Sequence, residues 1–298
     1  MTACHSLYAQ QDAQYTQFLY NTQTYNPAFV GMTGNKVITA LYRAQWIGVE
    51  GAPRTQSLYY SAPSRLKGLS VGFGLLNDKV GPSSETFFDL DVSYTVALST
   101  KTNLAFGIKA SANLLDINYS TLIQDLSQGS DPLLSNNIDN RFSPNIGAGV
   151  LFYNEDFFLG MSIPSFLETL HFDRSSLSEA KEKMHLYVSS GFVKELSPEL
   201  LMRPSIIVKA VAGAPIQTDI STSFLLKEKI SFGVSYRFKA ALSGLIGYQF
   251  SEELFVGISY DKAATDLGRD IFNSGSTEII FRYNFGKIAG MKTPRFMF

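Results

Sequence analysis

From about Val37 to Phe285 the sequence alternates with a period of two, and this pattern limits the fold more than any other feature. Side chains change face at every residue in a strand, but only every three to four in a helix. Ile230, Phe232, Val234, Tyr236 and Phe238 share one face, while Ser231, Gly233, Ser235, Arg237 and Lys239 share the other. Between Phe88 and Leu98 the even positions are apolar, and Asp89, Asp91, Ser93, Thr95 and Ala97 stand between them. Near the end, Ile279, Phe281, Tyr283 and Phe285 oppose Ile280, Arg282 and Asn284. A soluble β-sandwich also alternates, but its polar face is normally rich in Lys, Glu and Thr. Here that face is Gly, Ser and Asp with isolated cations, which suits a crowded barrel interior with the apolar face turned to lipid. The expectation is all-β: a single transmembrane antiparallel β-barrel.

Composition supports this. Charged residues make up 17% of the chain, below the roughly 25% usual in soluble domains, and aromatic residues 13%. A lipid-facing surface needs few charges, and rings suit the boundary between lipid and water. No apolar run approaches the roughly 18 residues of a membrane-spanning helix, so a membrane fold has to be a closed barrel. The 25 basic and 26 acidic side chains nearly balance, which argues against nucleic acid as a partner, since phosphate binding needs a basic excess.

About fourteen strands can be marked, beginning near Val37, Thr55, Leu69, Thr86, Asn103, Ser143, Phe157, His185, Leu201, Gln217, Ile230, Ala241, Leu254 and Ser276. With both ends in the periplasm, short turns should alternate with longer external loops. The short connections 63–68, 99–102, 154–156, 195–200, 227–229 and 251–253 all fall on one side, and the longest, 116–142, 164–184 and 261–275, on the other. Residues 1–10 read as the remnant of a secretory signal, with Cys4 inside it. Residues 11–36 form an N-terminal periplasmic or plug segment, 37–286 the outer-membrane barrel, and 287–298 a basic C-terminal periplasmic tail. Either end could instead fold into the lumen.

Two stretches carry a resemblance. Residues 11–18 read QDAQYTQF, with Tyr15, Gln17 and Phe18, and are followed by Tyr25-Asn26-Pro27-Ala28-Phe29-Val30-Gly31. The second runs from Tyr42-Arg43-Ala44-Gln45-Trp46-Ile47-Gly48 through Gly51 and Pro53 to Pro63. Together they resemble the PorP/SprF family of type IX secretion-associated outer-membrane proteins from Bacteroidota. Tyr25-Asn26-Pro27 is also a turn signal in its own right, since Asn bonds its local backbone and Pro fixes φ. Gly48, Gly51 and Pro53 shape the first external loop, with Trp46 at its base. The resemblance implies a role in protein export and surface attachment. The implied partners are a secreted cargo with a type IX C-terminal domain (commonly a large adhesin), the translocon and the periplasmic ring components.

The sequence offers little for catalysis or cofactors, and a non-enzymatic barrel is expected. A passive channel for small solutes is the alternative. His171 has Glu168 and Asp173 nearby but no second His or Cys at ligand spacing. His185 and Ser189 share a strand face, but at four residues apart they stand about 13 Å from each other, too far for a base to reach a nucleophile. Gly72 and Gly74 lie within an alternating strand and read as lumen packing rather than a phosphate loop. Asp89 and Asp91 are expected to pair with lumen cations among Lys109, Lys209, Arg237 and Arg282, because buried charges need partners.

Overall fold

The computed structural model describes residues 15–119, 137–167, 183–264, 275–287 and 293–297. Among the described residues fifteen strands follow one another. They are β1 (Asn35–Ala44), β2 (Arg54–Pro63), β3 (Leu69–Val80), β4 (Ser83–Ala97), β5 (Asn103–Ile117), β6 (Ile138–Tyr153), β7 (Phe157–Ile163) and β8 (His185–Phe192). Then come β9 (Lys194–Ser197), β10 (Leu200–Val211), β11 (Gln217–Leu226), β12 (Ile230–Arg237), β13 (Ala241–Gln249), β14 (Leu254–Ala263) and β15 (Ser276–Lys287). Consecutive strands pair antiparallel except β8 and β9, which both pair with β10, and β15 pairs with β1. β9 continues β8 past Val193 along the same edge of β10. The wall is therefore a closed antiparallel barrel of fourteen staves. Closure leaves no unpaired edge, the condition for a sheet to cross lipid.

Alternation sorts the two faces as the sequence predicts. Ile108 is 65% exposed and its neighbour Lys109 only 2%. Phe88, Leu90, Val92 and Tyr94 point outward, while Asp91 and Ser93 between them are fully buried. β-branched and aromatic residues suit such a pleated wall, and the outward set forms the apolar band that meets the bilayer.

The strand starts agree closely with the alternation except at β6. That strand begins at Ile138 rather than near Ser143, because β5 and β6 stay paired as far as Ile117 and Ile138. β4, β5 and β6 have 15, 15 and 16 residues, on the order of 50 Å each at a strand's rise. A tilted strand needs only about 9–11 residues to cross the hydrocarbon. The surplus lies on the long-loop side and raises one flank of the outer rim. Both of its faces carry polar contacts there: on the inner face Thr55 donates to Asp78 at 2.6 Å, and on the outer face Asn77 Nδ2 donates to the Ser84 and Thr86 hydroxyls at 3.1 and 2.9 Å. The short turns at the opposite end are tight. Lys227 and Glu228 both take positive φ (52° and 56°), a primed-turn geometry that matches the twist of its strands.

Candidate functional site

Residues 15–34 run inside the barrel. Nearly every one is buried, and their contacts reach strands all round the ring, which only an interior segment can do. Its outer end is fixed by a charge cluster. Glu278 on β15 accepts the amides of Thr16 and Gln17 at 3.1 and 2.9 Å. Arg43 on β1 bridges Glu278 at 3.2 Å and Asp261 on β14 at 2.7 Å. The Thr16 hydroxyl donates to Asp261 at 2.6 Å.

Beyond this cluster the chain drops to the short-turn end on one side and crosses to the other. Tyr20 stacks on Phe255 with centroids 4.8 Å apart, and Arg203 on β10 donates to its hydroxyl at 3.1 Å. Gln23 donates to Asp91 at 2.8 Å. The Tyr25-Asn26-Pro27 turn forms as its chemistry predicts. Asn26 caps the short 3-10 turn Pro27–Phe29 by accepting the Ala28 amide at 2.9 Å, and its own amide donates to the Val150 carbonyl at 3.3 Å. Ser162 donates to the Tyr25 carbonyl at 2.6 Å, and Ser61 accepts the Gly31 amide at 2.7 Å. Burial raises the Tyr25 hydroxyl above its ordinary range and keeps it a neutral phenol. The serines of the lumen face thus serve as donors and acceptors for a chain that forms little regular structure of its own.

Wall glycines make room for this segment. A Cβ on Gly107 would stand 2.3 Å from the Ala28 amide nitrogen, and one on Gly72 would meet the Gln23 side chain at 2.4 Å. The C-terminal end closes the same half of the lumen. Phe296 packs on Phe158 with centroids 4.8 Å apart, and both join a buried cluster with Phe18, Tyr25, Phe29, Met32 and Tyr187. Arg295 pairs with Asp156 and Glu195 at the short turns, each at 3.1 Å.

The remaining expected residues find their places. Lys109 pairs with Asp89 at 2.7 Å and Asp91 at 3.5 Å, and Tyr59 donates to Asp89 at 2.9 Å. The other proposed counter-ions do not join them. Arg237 pairs with Asp219 at 2.7 Å, Arg282 donates to the Met297 carbonyl, and Lys209 is buried opposite Tyr187. The reason is register: Asp91 and Lys109 face each other across β4 and β5, whereas the other cations lie on distant staves. His185 is buried beside Tyr187, with ring centroids 6.3 Å apart. His171, Glu168 and Asp173 lie outside the described residues. Asp219, Asp261, Glu278 and Arg203 escaped the sequence reading. Asp219, Asp261 and Glu278 belong to inward rows, the one signal that could have found them.

The first external loop is tied to both neighbours at the rim. Trp46 is half exposed, and its amide donates to Ser276 at 3.3 Å. Ile47 donates to the Gly275 carbonyl, and Gly81 to the Gly51 carbonyl, each at 2.8 Å. Gln45 donates to the Pro53 carbonyl at 2.9 Å, closing the loop's base, and Gly48 and Gly51 take positive φ (98° and 72°).

A closed antiparallel barrel with an apolar outer band, a polar inner wall and an occupied lumen defines an integral outer-membrane protein. The family description for the type IX secretion system membrane protein PorP/SprF matches residues 7–283, and the chain belongs to that family. Among curated proteins none matches the chain. Among solved structures it is similar to the CymD monoaromatic hydrocarbon channel, with a TM-score of 0.53 at 12% identity, covering 89% of this chain and 93% of that one. The Ralstonia pickettii toluene transporter TbuX gives 0.49 at 10% identity over the same shares, 89% and 93%. Acinetobacter baumannii Omp33 gives 0.48 at 9%, covering 85% of this chain and all of that one. At such identities the CymD likeness speaks to the barrel fold alone.

Proposed function

We propose that this barrel is a non-enzymatic attachment protein that holds a secreted type IX cargo at the cell surface by the cargo's C-terminal domain. The cargo is of the large adhesin kind, and the outer rim and its loops make the contact. The translocon and the periplasmic ring components are the remaining partners. The observation that carries this reading is the filled lumen. A channel for small solutes needs a continuous aqueous path, and here residues 15–34 and 293–297 pack into the interior. Family membership supplies the export context. The raised flank of β3 to β6 and the tied first loop offer a firm polar platform above the bilayer.

Pull-down from detergent-solubilised outer membrane should recover one large secreted protein with the barrel. Replacing residues 120–136 by a short Gly-Ser linker should weaken that recovery while the barrel stays heat-modifiable in gels. Full recovery after that replacement would count against contact through this loop. Planar-bilayer recording tests the alternative of a passive channel: a steady open current from the purified full-length chain would favour it.

A further inference from the structure

The outer face of the barrel is not smooth. A groove of about 440 Å³ is cut into it across β11 to β14. Its floor is Gly244 on β13, where an added Cβ would meet only open space. Gly244 is registered between Val234 on β12 and Tyr260 on β14, and the next outward row sets Phe232, Ile246 and Ile258 side by side. These five wall side chains are all exposed on the lipid face. Phe224 borders the groove on β11 and stacks on Phe232 with centroids 5.4 Å apart. Aromatic pairs bracket it, Tyr236 with Phe238 toward the outer rim and Tyr248 with Phe250 toward the short turns. Such girdles mark the two edges of the hydrocarbon, so the groove lies within it.

A groove at this depth opens straight onto acyl chains, so its occupant needs no path through the protein. A second protein surface gains little here. Lipid removes the hydrophobic drive between embedded faces, and association then relies on several small residues or on polar side chains. This groove offers one glycine and, apart from the Tyr260 hydroxyl, apolar walls. An acyl chain gains contacts from walls and floor together that a flat face would not give it. The outward row of β14 continues from Ile258 and Tyr260 to Lys262, which is exposed and about 7 Å further toward the outer rim. Among the described residues Lys262 forms no ion pair. A lysine at headgroup height attracts anionic lipid while its stem stays on the apolar wall. We propose that the groove binds one anionic, phosphate-bearing lipid of the outer leaflet, with an acyl chain over Gly244 and the phosphate against Lys262. Its volume falls within the roughly 300–1,000 Å³ of small-ligand sites.

The probe is palmitoyl-oleoyl phosphatidylglycerol, titrated into the full-length protein in detergent, with phosphatidylcholine of the same chains alongside. Native mass spectrometry should show one phosphatidylglycerol retained per chain, held roughly fivefold more tightly than phosphatidylcholine. Lys262→Gln should erase that preference and leave phosphatidylcholine binding unchanged. Gly244→Phe, which fills the groove, should weaken both lipids by about tenfold or more. Ala110→Phe, on the lipid face of β5 far from the groove, should leave both within about twofold. Heat-modifiability in gels checks the barrel of each variant. If Gly244→Phe does not fold, the lipid preference and its loss in Lys262→Gln still decide. No saturable lipid on the wild type overturns the site, as does equal binding in Gly244→Phe and Ala110→Phe. A dimer that Gly244→Phe dissolves would overturn it in favour of a second copy of the chain.

Discussion

Replacing Glu278 with glutamine should free the outer end of the inner segment and leave the rest of it seated. The carboxylate receives two amides, at 3.1 and 2.9 Å, and the Arg43 guanidinium at 3.2 Å. Hydrogen bonds to a charged acceptor contribute roughly 1.5–3 kcal/mol each. Glutamine keeps one neutral oxygen and turns an NH2 toward donors, so at most one contact survives in weakened form. Arg43 is not orphaned, because Asp261 still holds it at 2.7 Å. The net loss is on the order of 3 kcal/mol, or roughly 150-fold in the opening equilibrium. Hydrogen exchange of the full-length protein reads this directly. The Thr16 and Gln17 amides should exchange about two orders of magnitude faster in the variant. The Ala28 and Gly31 amides, held by Asn26 and Ser61, should keep the wild-type rate. A change at Thr16 and Gln17 smaller than about threefold would refute the claim that this carboxylate fastens the segment. A uniform rise from Thr16 to Gly31 would refute the independence of its two ends.

Three further outcomes follow from the packing. Gly107→Val should destabilise by about 1–3 kcal/mol through overpacking, since its Cβ meets the Ala28 and Pro27 backbone rather than a flexible side chain. Gly244→Ala, where open space surrounds the Cβ, is the matching control, and urea midpoints of the two check it. Phe296→Ala should cost about 3–5 kcal/mol by emptying the contact with Phe158, and bilayer recording should show transient openings absent from the wild type. Lys109→Met should cost about 3–5 kcal/mol by leaving Asp89 and Asp91 without their cation. Combining it with Asp89→Asn and Asp91→Asn should recover most of that in the same denaturation assay.

The wall was legible because lipid enforces alternation wherever the strand touches it. The early start of β6 escaped because Ile138-Asp139-Asn140-Arg141 stands above the apolar band, where no environment selects one face. The break at Val193 escaped because an irregularity along one edge leaves no compositional mark. Arg43 was visible as part of a motif, but its partners Asp261 and Glu278 come from the far end of the chain. Only ring closure brings them together. The Asp91 and Lys109 pair could be foreseen because adjacent staves with a tight turn fix their register. Arg203 sits between Met202 and Pro204, inside a largely apolar run, and what singles it out is Tyr20, a residue of a different segment.

The cluster at the outer end of the lumen joins β1, β14 and β15, the first strand and the last two. It therefore spans the seam where the chain's beginning meets its end. The outer end of the N-terminal stretch gains its charged contacts only once the final hairpin has closed on β1. A barrel with that seam open would carry a loose outer end of the stretch as its mark.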